Sequence, residues 1–453
     1  MAYSASLTKP LHTGVTIAAP VAPSAVQPVG KLFIVCTLIY LGIYALQAPV
    51  RYGLSLIGRD ELVLVRDTLV LGPLGLLLAV QAMQLRIHPA FVVAAALFTF
   101  HGLVLFGTIG SLVGIVYGIK ILVNLLFGFF AASLLIYPSR RTTKVLAFIW
   151  FVTLVGVCLD KFGVTFPWAG MKAFVGNLPV DVSRDWEIQD PFTRRVAGFT
   201  RSSIAVAALM PPLTIVLMSR MWSRAWRFLV AVLAVAVVFM TTQKGAIVAF
   251  IPIAAVLCMR PEVQPKLLRL LCMAFITLAI ALPLITWGIH LTHGAGVFST
   301  ESLYLRIAYT WPDAIDWIQR HQMLVFGVGL GGIGGPQRFY ASSSFNPADN
   351  IMILLYAYFG VFALIYLGLV IAAVMKPTGE ALQRVIPAIA IIAFCFGYGT
   401  VLSVIEDQAL PLFMGAALGV LCMESRWGLT RNIAPNGLGL HNLALQTPAR
   451  QAR

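Results

Sequence analysis

Residues 90–109, AFVVAAALFTFHGLVLFGTI, are twenty consecutive positions without Asp, Glu, Lys or Arg. At about 1.5 Å of rise per residue they make a helix of about 30 Å, the thickness of a bilayer's hydrocarbon core. The stretch is read as a membrane-spanning helix. Outward from it, apolar runs recur near 32–49, 66–84, 114–137, 143–159, 199–218, 225–242, 245–259, 267–287, 351–374, 384–404 and 408–423. Together they predict an all-α, polytopic membrane protein with about twelve transmembrane helices. Composition agrees: 59% of the 453 residues are hydrophobic and 11% are charged, whereas soluble domains carry about 25% charged residues.

The 32 Lys and Arg against 17 Asp and Glu give a net charge of +15. In a soluble chain that excess points to nucleic acid. Here the basic residues cluster between apolar runs, which is a topology signal. With a cytoplasmic N-terminus, Arg86, Arg140-Arg141-Lys144, Arg220-Arg224-Arg227, Arg260-Lys266-Arg269, Lys376-Arg384 and Arg426-Arg431 all fall on the cytoplasmic side. Both termini are then inside, and no nucleic-acid partner is expected. Residues 1–31 read as a disordered cytoplasmic tail, 32–424 as the transmembrane domain, and 425–453 as a second cytoplasmic tail. Ala45-Leu46-Gln47-Ala48 has the spacing of a signal-peptidase site, but the long polar lead before it opposes cleavage. The six cysteines all lie in apolar runs with no CxxC pair, against disulfides and zinc. His290, His293 and His321 form no ligand set, so neither metal nor cofactor is expected.

Two long segments, 160–198 and 288–350, are placed outside. They mix aromatics and charges (Trp168, Trp186, Arg194, Arg195; Tyr304, Arg306, Trp311, Trp317, Arg320, His321), which suits amphipathic helices lying in the interface. Loops of this length in a compact protein are functional or disordered, and the aromatic content opposes disorder.

Charges near or inside a bilayer are few: Arg66, Asp67, Lys120, Arg201 and Lys244. Each costs about 2.5 to 3.5 kcal/mol at mid-span and so needs a partner or a function. Arg66-Asp67 reads as a local pair at a helix start, and Lys120 either snorkels or pairs with a neighbouring helix. Arg194, Arg195 and Arg201 lie within eight positions in a non-cytoplasmic segment, where positive residues are disfavoured. They serve as headgroup anchors or as a phosphate site, for which the guanidinium fork is suited. The Gly-rich stretch 326–335, FGVGLGGIGG, follows no βαβ strand, so a dinucleotide loop is a poor reading. It is either a tight loop approached closely by a ligand or an anion nest. In Asn346-Pro347-Ala348-Asp349-Asn350, either Asp349 or Asn350 reads as the N-cap of the tenth span. Asp349 is also a candidate general base.

Residues 194–375 resemble the O-antigen polymerase and ligase superfamily of bacterial envelope glycosyltransferases. Arg195-Val196-Ala197-Gly198-Phe199-Thr200 resembles that family's basic-Gly entry to a span. Thr241-Thr242-Gln243-Lys244-Gly245 resembles its Ser-Arg-Gly helix start, with Lys in place of Arg. Leu305-Arg306, Trp311, Ala314, His321 and 326–331 resemble its large periplasmic loop. Asp349-Asn350, followed after nine residues by Gly360-Val361-Phe362-Ala363, resembles the ligase signature His-Asn-x9-Gly-x-x-Gly. Asp349 replaces the signature His and Ala363 its last Gly, departures that favour the polymerases.

The resemblance implies a GT-C-like architecture with two long periplasmic loops in the bacterial inner membrane. It implies a polymerase joining undecaprenyl-diphosphate-linked oligosaccharide repeat units by metal-independent, inverting glycosyl transfer. Arg195, Arg201, Lys244 and Arg306 would hold the diphosphate, Asp349 and Arg306 would be catalytic, and Trp311, His321 and Asn350 would bind the acceptor glycan. Membrane lipid, a flippase and chain-length regulator proteins would be partners. Two rivals are an O-antigen ligase, transferring the glycan to a lipid A core, and a twelve-helix secondary transporter.

Overall fold

The structure, a computed structural model, describes residues 26–175, 178–183, 195–221, 223–285, 300–321 and 325–424. Both tails apart from residues 26–31, and with them Arg426 and Arg431, lie outside the described residues, as do Trp186, Arg194, His290 and His293. The helices run α1 Val26–Ala45, α2 Gln47–Leu56, α3 Val65–Met83, α4 Pro89–Ile109, α5 Leu112–Phe130, α6 Ala132–Ile136, α7 Arg140–Lys161, α8 Ser203–Arg220 and α9 Arg224–Met240. They continue with α10 Lys244–Cys258, α11 Gln264–Ile285, α12 Glu301–Leu305, α13 Trp311–His321, α14 Ile351–Phe359, α15 Phe362–Met375, α16 Gly379–Arg384, α17 Ile386–Gly399 and α18 Leu410–Glu424.

This is a helical membrane protein. Among the described residues six helices are long and apolar enough to cross a bilayer, and seven if α1 and α2, bent by 81° about Leu46, count as one. The apolar helices α10, α15, α17 and α18 are shorter, at 14 to 15 residues. Part of the shortening is punctuation within a run. The run 351–374 is divided into α14 and α15 at Gly360, whose φ is +57°.

The bundle is layered by burial. Every residue of α17 is buried, as is almost all of α8. Both are apolar on all sides, the pattern of helices surrounded by other helices. Helix α18 packs on α17, and α5 and α18 approach each other closely: a Cβ at Gly128 would strike the Leu412 carbonyl, and one at Gly415 the Leu125 carbonyl. Small residues at crossing points are how helices pack when lipid supplies no hydrophobic drive.

Of the two long segments expected to hold amphipathic helices, the first contains a hairpin among its described residues. Lys172–Val175 (β1) and Leu178–Asp181 (β2) form an antiparallel hairpin with Lys172 opposite Asp181. Two short β-prone segments separated by Gly176-Asn177 carry the hairpin signal in sequence. The second segment is helical over 301–321, where Arg306–Thr310 is a π-helical turn joining α12 to α13.

The Gly-rich stretch enters the bundle. Val328 and Gly329 N–H both donate to the Ala357 carbonyl (2.8 and 3.2 Å), and Val361 N–H to Val325 O (2.9 Å), so the loop satisfies backbone groups freed by the break at Gly360. On its other side Leu330 N–H donates to His101 O (2.9 Å), and Thr108 Oγ1 to Val328 O (2.6 Å). Irregular backbone at membrane depth survives where protein completes its hydrogen bonds. Gly334 N–H donates to Asn346 O (3.1 Å) and Gly335 N–H to Glu406 Oε1 (2.6 Å). With these amides committed, the anion-nest reading is replaced by a tight plug whose close approach is to protein backbone.

Candidate functional site

Asp349 is set by a constrained loop. It and Ala348 both have left-handed backbones, with φ +46° and +60°. Such pairs of non-glycine residues cost about 1–3 kcal/mol each and persist only where surroundings enforce them. Asn346 Oδ1 accepts from Ala348 N–H (2.8 Å), Asn346 Nδ2 donates to Thr310 O (2.9 Å), Ser403 Oγ donates to Pro347 O (2.8 Å), and Trp311 Nε1 donates to Asp349 O (3.3 Å). The cap is Asn350 and not Asp349: its Oδ1 accepts from Met352 and Ile353 N–H (2.8 and 3.1 Å). The Asp349 side chain is left free of capping.

The Asp349 carboxylate meets Arg306, whose Nε lies 3.2 Å from Oδ2. That atom makes no aligned hydrogen bond, so the contact is chiefly Coulombic. Nη1 of Arg306 donates to Ser302 O (2.8 Å) and to Ser302 Oγ. Both members of the pair keep about a fifth of their side-chain surface, 20% and 22%. Burial pushes the Asp349 carboxyl above the usual carboxylate range, and the Arg306 guanidinium opposes this.

Two further cations are linked to the pair through Tyr398. Tyr398, at the end of α17, is within electrostatic reach of Arg306, Asp349 and Arg195, and Lys244 is within reach of Arg195. The Tyr398 hydroxyl donates to Gln243 Oε1 (3.3 Å), and Gln243 Nε2 to Ser203 Oγ (2.9 Å), tying α17, α10 and α8 together. Lys244 opens α10, where the helix dipole disfavours a cation, and Thr242 before it has φ +58°. Arg195 is exposed on a segment held by Asp160, whose Oδ2 accepts from Ala197 and Gly198 N–H, both at 2.9 Å. Gly198 is required there, since a Cβ would strike the Gly156–Val157 backbone.

Of the predicted residues, Arg306 and Asp349 meet directly, while Arg195 and Lys244 are linked to them only through Tyr398. Arg201 departs, donating from Nε to the hairpin carbonyl of Asp181 (3.3 Å). The residues expected to bind glycan lie as follows. Asn350 is fully buried, with Nδ2 donating to Ala279 and Thr400 carbonyls (3.1 and 3.0 Å), so no polar atom faces a sugar. Trp311 is 1% exposed and its ring forms core. His321 turns back to its own helix, with Nδ1 3.0 Å from Trp317 O and its ring 4.0 Å from that of Trp317.

Glu406 and Asp407, between α17 and α18, were not among the predicted residues. Glu406 accepts from Gly335 N–H and senses the charge of Asp349, and desolvation pushes its carboxyl up to about 8. Asp407 accepts from the Tyr44 hydroxyl (2.6 Å) and from Ala409 and Leu410 N–H. A signal was present: two adjacent carboxylates in a three-residue gap between apolar runs, where a simple turn needs none. Arg66–Asp67 is the local pair read from sequence (3.1 Å), and Lys120 reaches Asp67 (2.6 Å), so it pairs across helices. Among the described residues no three His, Cys, Asp or Glu side chains gather to hold a metal ion. Fold and site together define a helical membrane protein with a partly buried Arg306–Asp349 ion pair. No family model, curated protein or solved structure matches the chain.

Proposed function

We propose that the protein is an inner-membrane polysaccharide polymerase that extends a glycan with polyprenyl-diphosphate-linked repeat units on the periplasmic face. The observation that carries this reading is the Asp349–Arg306 pair, linked electrostatically through Tyr398 to Arg195 and from Arg195 to Lys244. An acceptor hydroxyl attacks the anomeric carbon of the donor while its proton passes to the Asp349 carboxylate. The anomeric C–O bond to the diphosphate breaks on the opposite face, inverting the centre. Arg306, Arg195 and Lys244 meet the charge that grows on the departing diphosphate, the kind of preorganised stabilisation that contributes most in a site screened from water. Twelve crossings follow when α8, α9, the pair α14–α15 and the shorter helices α10, α17 and α18 are counted with α1, α3, α4, α5, α7 and α11. That number returns both termini to the cytoplasm.

The test is purified protein in nanodiscs with polyprenyl-diphosphate oligosaccharide. Longer lipid-linked glycans are expected, with one polyprenyl diphosphate released per bond formed. Transfer only to a lipid A core acceptor would make the protein a ligase, and no transfer to either acceptor would overturn the glycosyltransferase reading. A secondary transporter is the second reading, favoured by the Lys120–Asp67 pair and the broken span at Gly360, since transporters bind at discontinuous helices. Proton- or sodium-driven uptake into proteoliposomes would establish it.

A further inference from the structure

The Asp349–Arg306 contact joins two separately built pieces of chain. Arg306 opens the π-helical turn Arg306–Thr310, and Asp349 follows Ala348 in a pair of left-handed residues. The two side chains do not fix their own spacing. Arg306 Nε makes no aligned hydrogen bond to the carboxylate, and Nη1 is held by Ser302 on its own helical segment. Their 3.2 Å approach therefore depends on where the two backbones stand.

One side chain grips both backbones. Asn346 Oδ1 accepts from Ala348 N–H (2.8 Å), while its Nδ2 donates to the Thr310 carbonyl (2.9 Å), 36 residues away. The main chain of Asn346 is itself anchored: its N–H donates to Gln337 Oε1 (2.9 Å) and its carbonyl accepts from Gly334 N–H (3.1 Å). Asn346 is buried, so an amide in this place needs both ends partnered. A simple Asx turn explains the bond to the residue two positions on. It does not call for the reach to Thr310, which aspartate, equally able to make the turn, cannot donate to. Another bond between the same two pieces, Trp311 Nε1 to the Asp349 carbonyl, is longer at 3.3 Å and leaves Ala348 unheld.

We propose that Asn346 is the positioning residue of the candidate site: its amide holds the turn carrying Arg306 against the loop carrying Asp349 and so sets the spacing of guanidinium and carboxylate. Its catalytic meaning rests on the glycosyl-transfer reading; its effect on the pair does not. Without the amide the pair should part. Arg306 opposes the upward push of burial on the Asp349 carboxyl, so separation moves the midpoint of that carboxyl further up. Glu406 and Tyr398 are also within electrostatic reach of Asp349. They belong to the turn after α17 and to α17 itself, and the Asn346 side chain bonds to neither.

The experiment is pH-dependent infrared difference spectroscopy of the full-length protein in nanodiscs, with the Asp349 carboxyl band identified by its loss in Asp349→Asn. Asn346→Ala should raise the Asp349 midpoint. Asn346→Ser, whose single short oxygen can serve the turn but not bridge to Thr310, should raise it too and decides the matter if Asn346→Ala does not fold. Ser403→Ala cuts a bond to the same loop at Pro347 (2.8 Å) without freeing it from the Arg306 turn, and should leave the midpoint in place. In glycan transfer, the Asn346 variant should lose at least about tenfold in kcat with the donor KM within about threefold, because alignment and not binding is lost. An unmoved or lowered midpoint, an equal rise in Ser403→Ala, or undiminished kcat beside an active wild type would overturn the proposal. The titration needs no substrate, so a wild type that transfers no glycan while the Asn346 variant shifts the carboxyl would end the glycosyl-transfer reading and leave the positioning intact.

Discussion

Replacing Asp349 by Asn separates structure from chemistry at the candidate site. Helix α14 keeps its cap, because Asn350 accepts from both Met352 and Ile353. The left-handed backbone at φ +46° suits Asn at least as well as Asp. What is lost is the contact with Arg306, in which both side chains are about one-fifth exposed, so the stability cost is about 1 kcal/mol. Loss of a general base costs about 10² to 10⁴ in rate, equivalent to roughly 3 to 5 kcal/mol of barrier. Asp349→Asn should therefore insert and bind lipid-linked donor normally yet transfer glycan at under about one-hundredth of the wild-type single-turnover rate. The pH profile gives a second readout. The carboxyl is raised by burial and acts ionised, so wild-type activity should fall on acidification at a pH above the ordinary Asp range. The residual activity of the Asn variant should lack that limb. Near-normal transfer by a properly inserted Asp349→Asn variant would refute the assignment.

Other consequences can be measured alongside. Arg306→Lys keeps the charge but loses the planar fork that spans Ser302 and Asp349, so glycan transfer should drop at least about tenfold with unchanged protein levels. Glu406 has a folded pKa of about 8 against an ordinary 4.5. Its contribution to stability is complete below 4.5 and is lost as pH rises through about 8. Glu406→Gln, which imitates the protonated acid, should flatten that decline in thermal unfolding. Gly329→Ala would drive a methyl into the Leu105 backbone at φ +104°, costing about 1–3 kcal/mol for the clash and ~1–2 kcal/mol for the backbone. At Gly110, with φ +77° and open space around it, Ala should cost only the backbone share.

The membrane class was legible because it rests on local composition: twenty uncharged residues at 90–109 can be recognised without knowing their neighbours. The Arg66–Asp67 pair was legible for the same reason. Asp349 and Arg306 could be named as candidates from their residue types, but their meeting across 43 positions could not. The burial of Asn350 and Trp311 was not legible, because a polar or aromatic residue beside a candidate base looks the same in sequence whether it faces solvent or core. Asn350 is held by the Ala279 carbonyl of α11 and the Thr400 carbonyl that caps α17, both distant in sequence. The Gly-rich stretch announced a tight backbone but not its counterpart, since Gly118 and Leu105, the surfaces it fits, lie more than 200 residues earlier.

That separation has a consequence for biogenesis. Thr108 and Val328 are 220 residues apart, and ribosomes add about 5–20 residues per second. The crevice between α4 and α5 therefore stands open in the membrane for roughly 10 to 40 s before its plug has been synthesised. A ribosomal stall between these two elements would leave a half-built bundle with an apolar cleft in which His101 O and Thr108 Oγ1 lack their loop contacts, a natural target for membrane quality control.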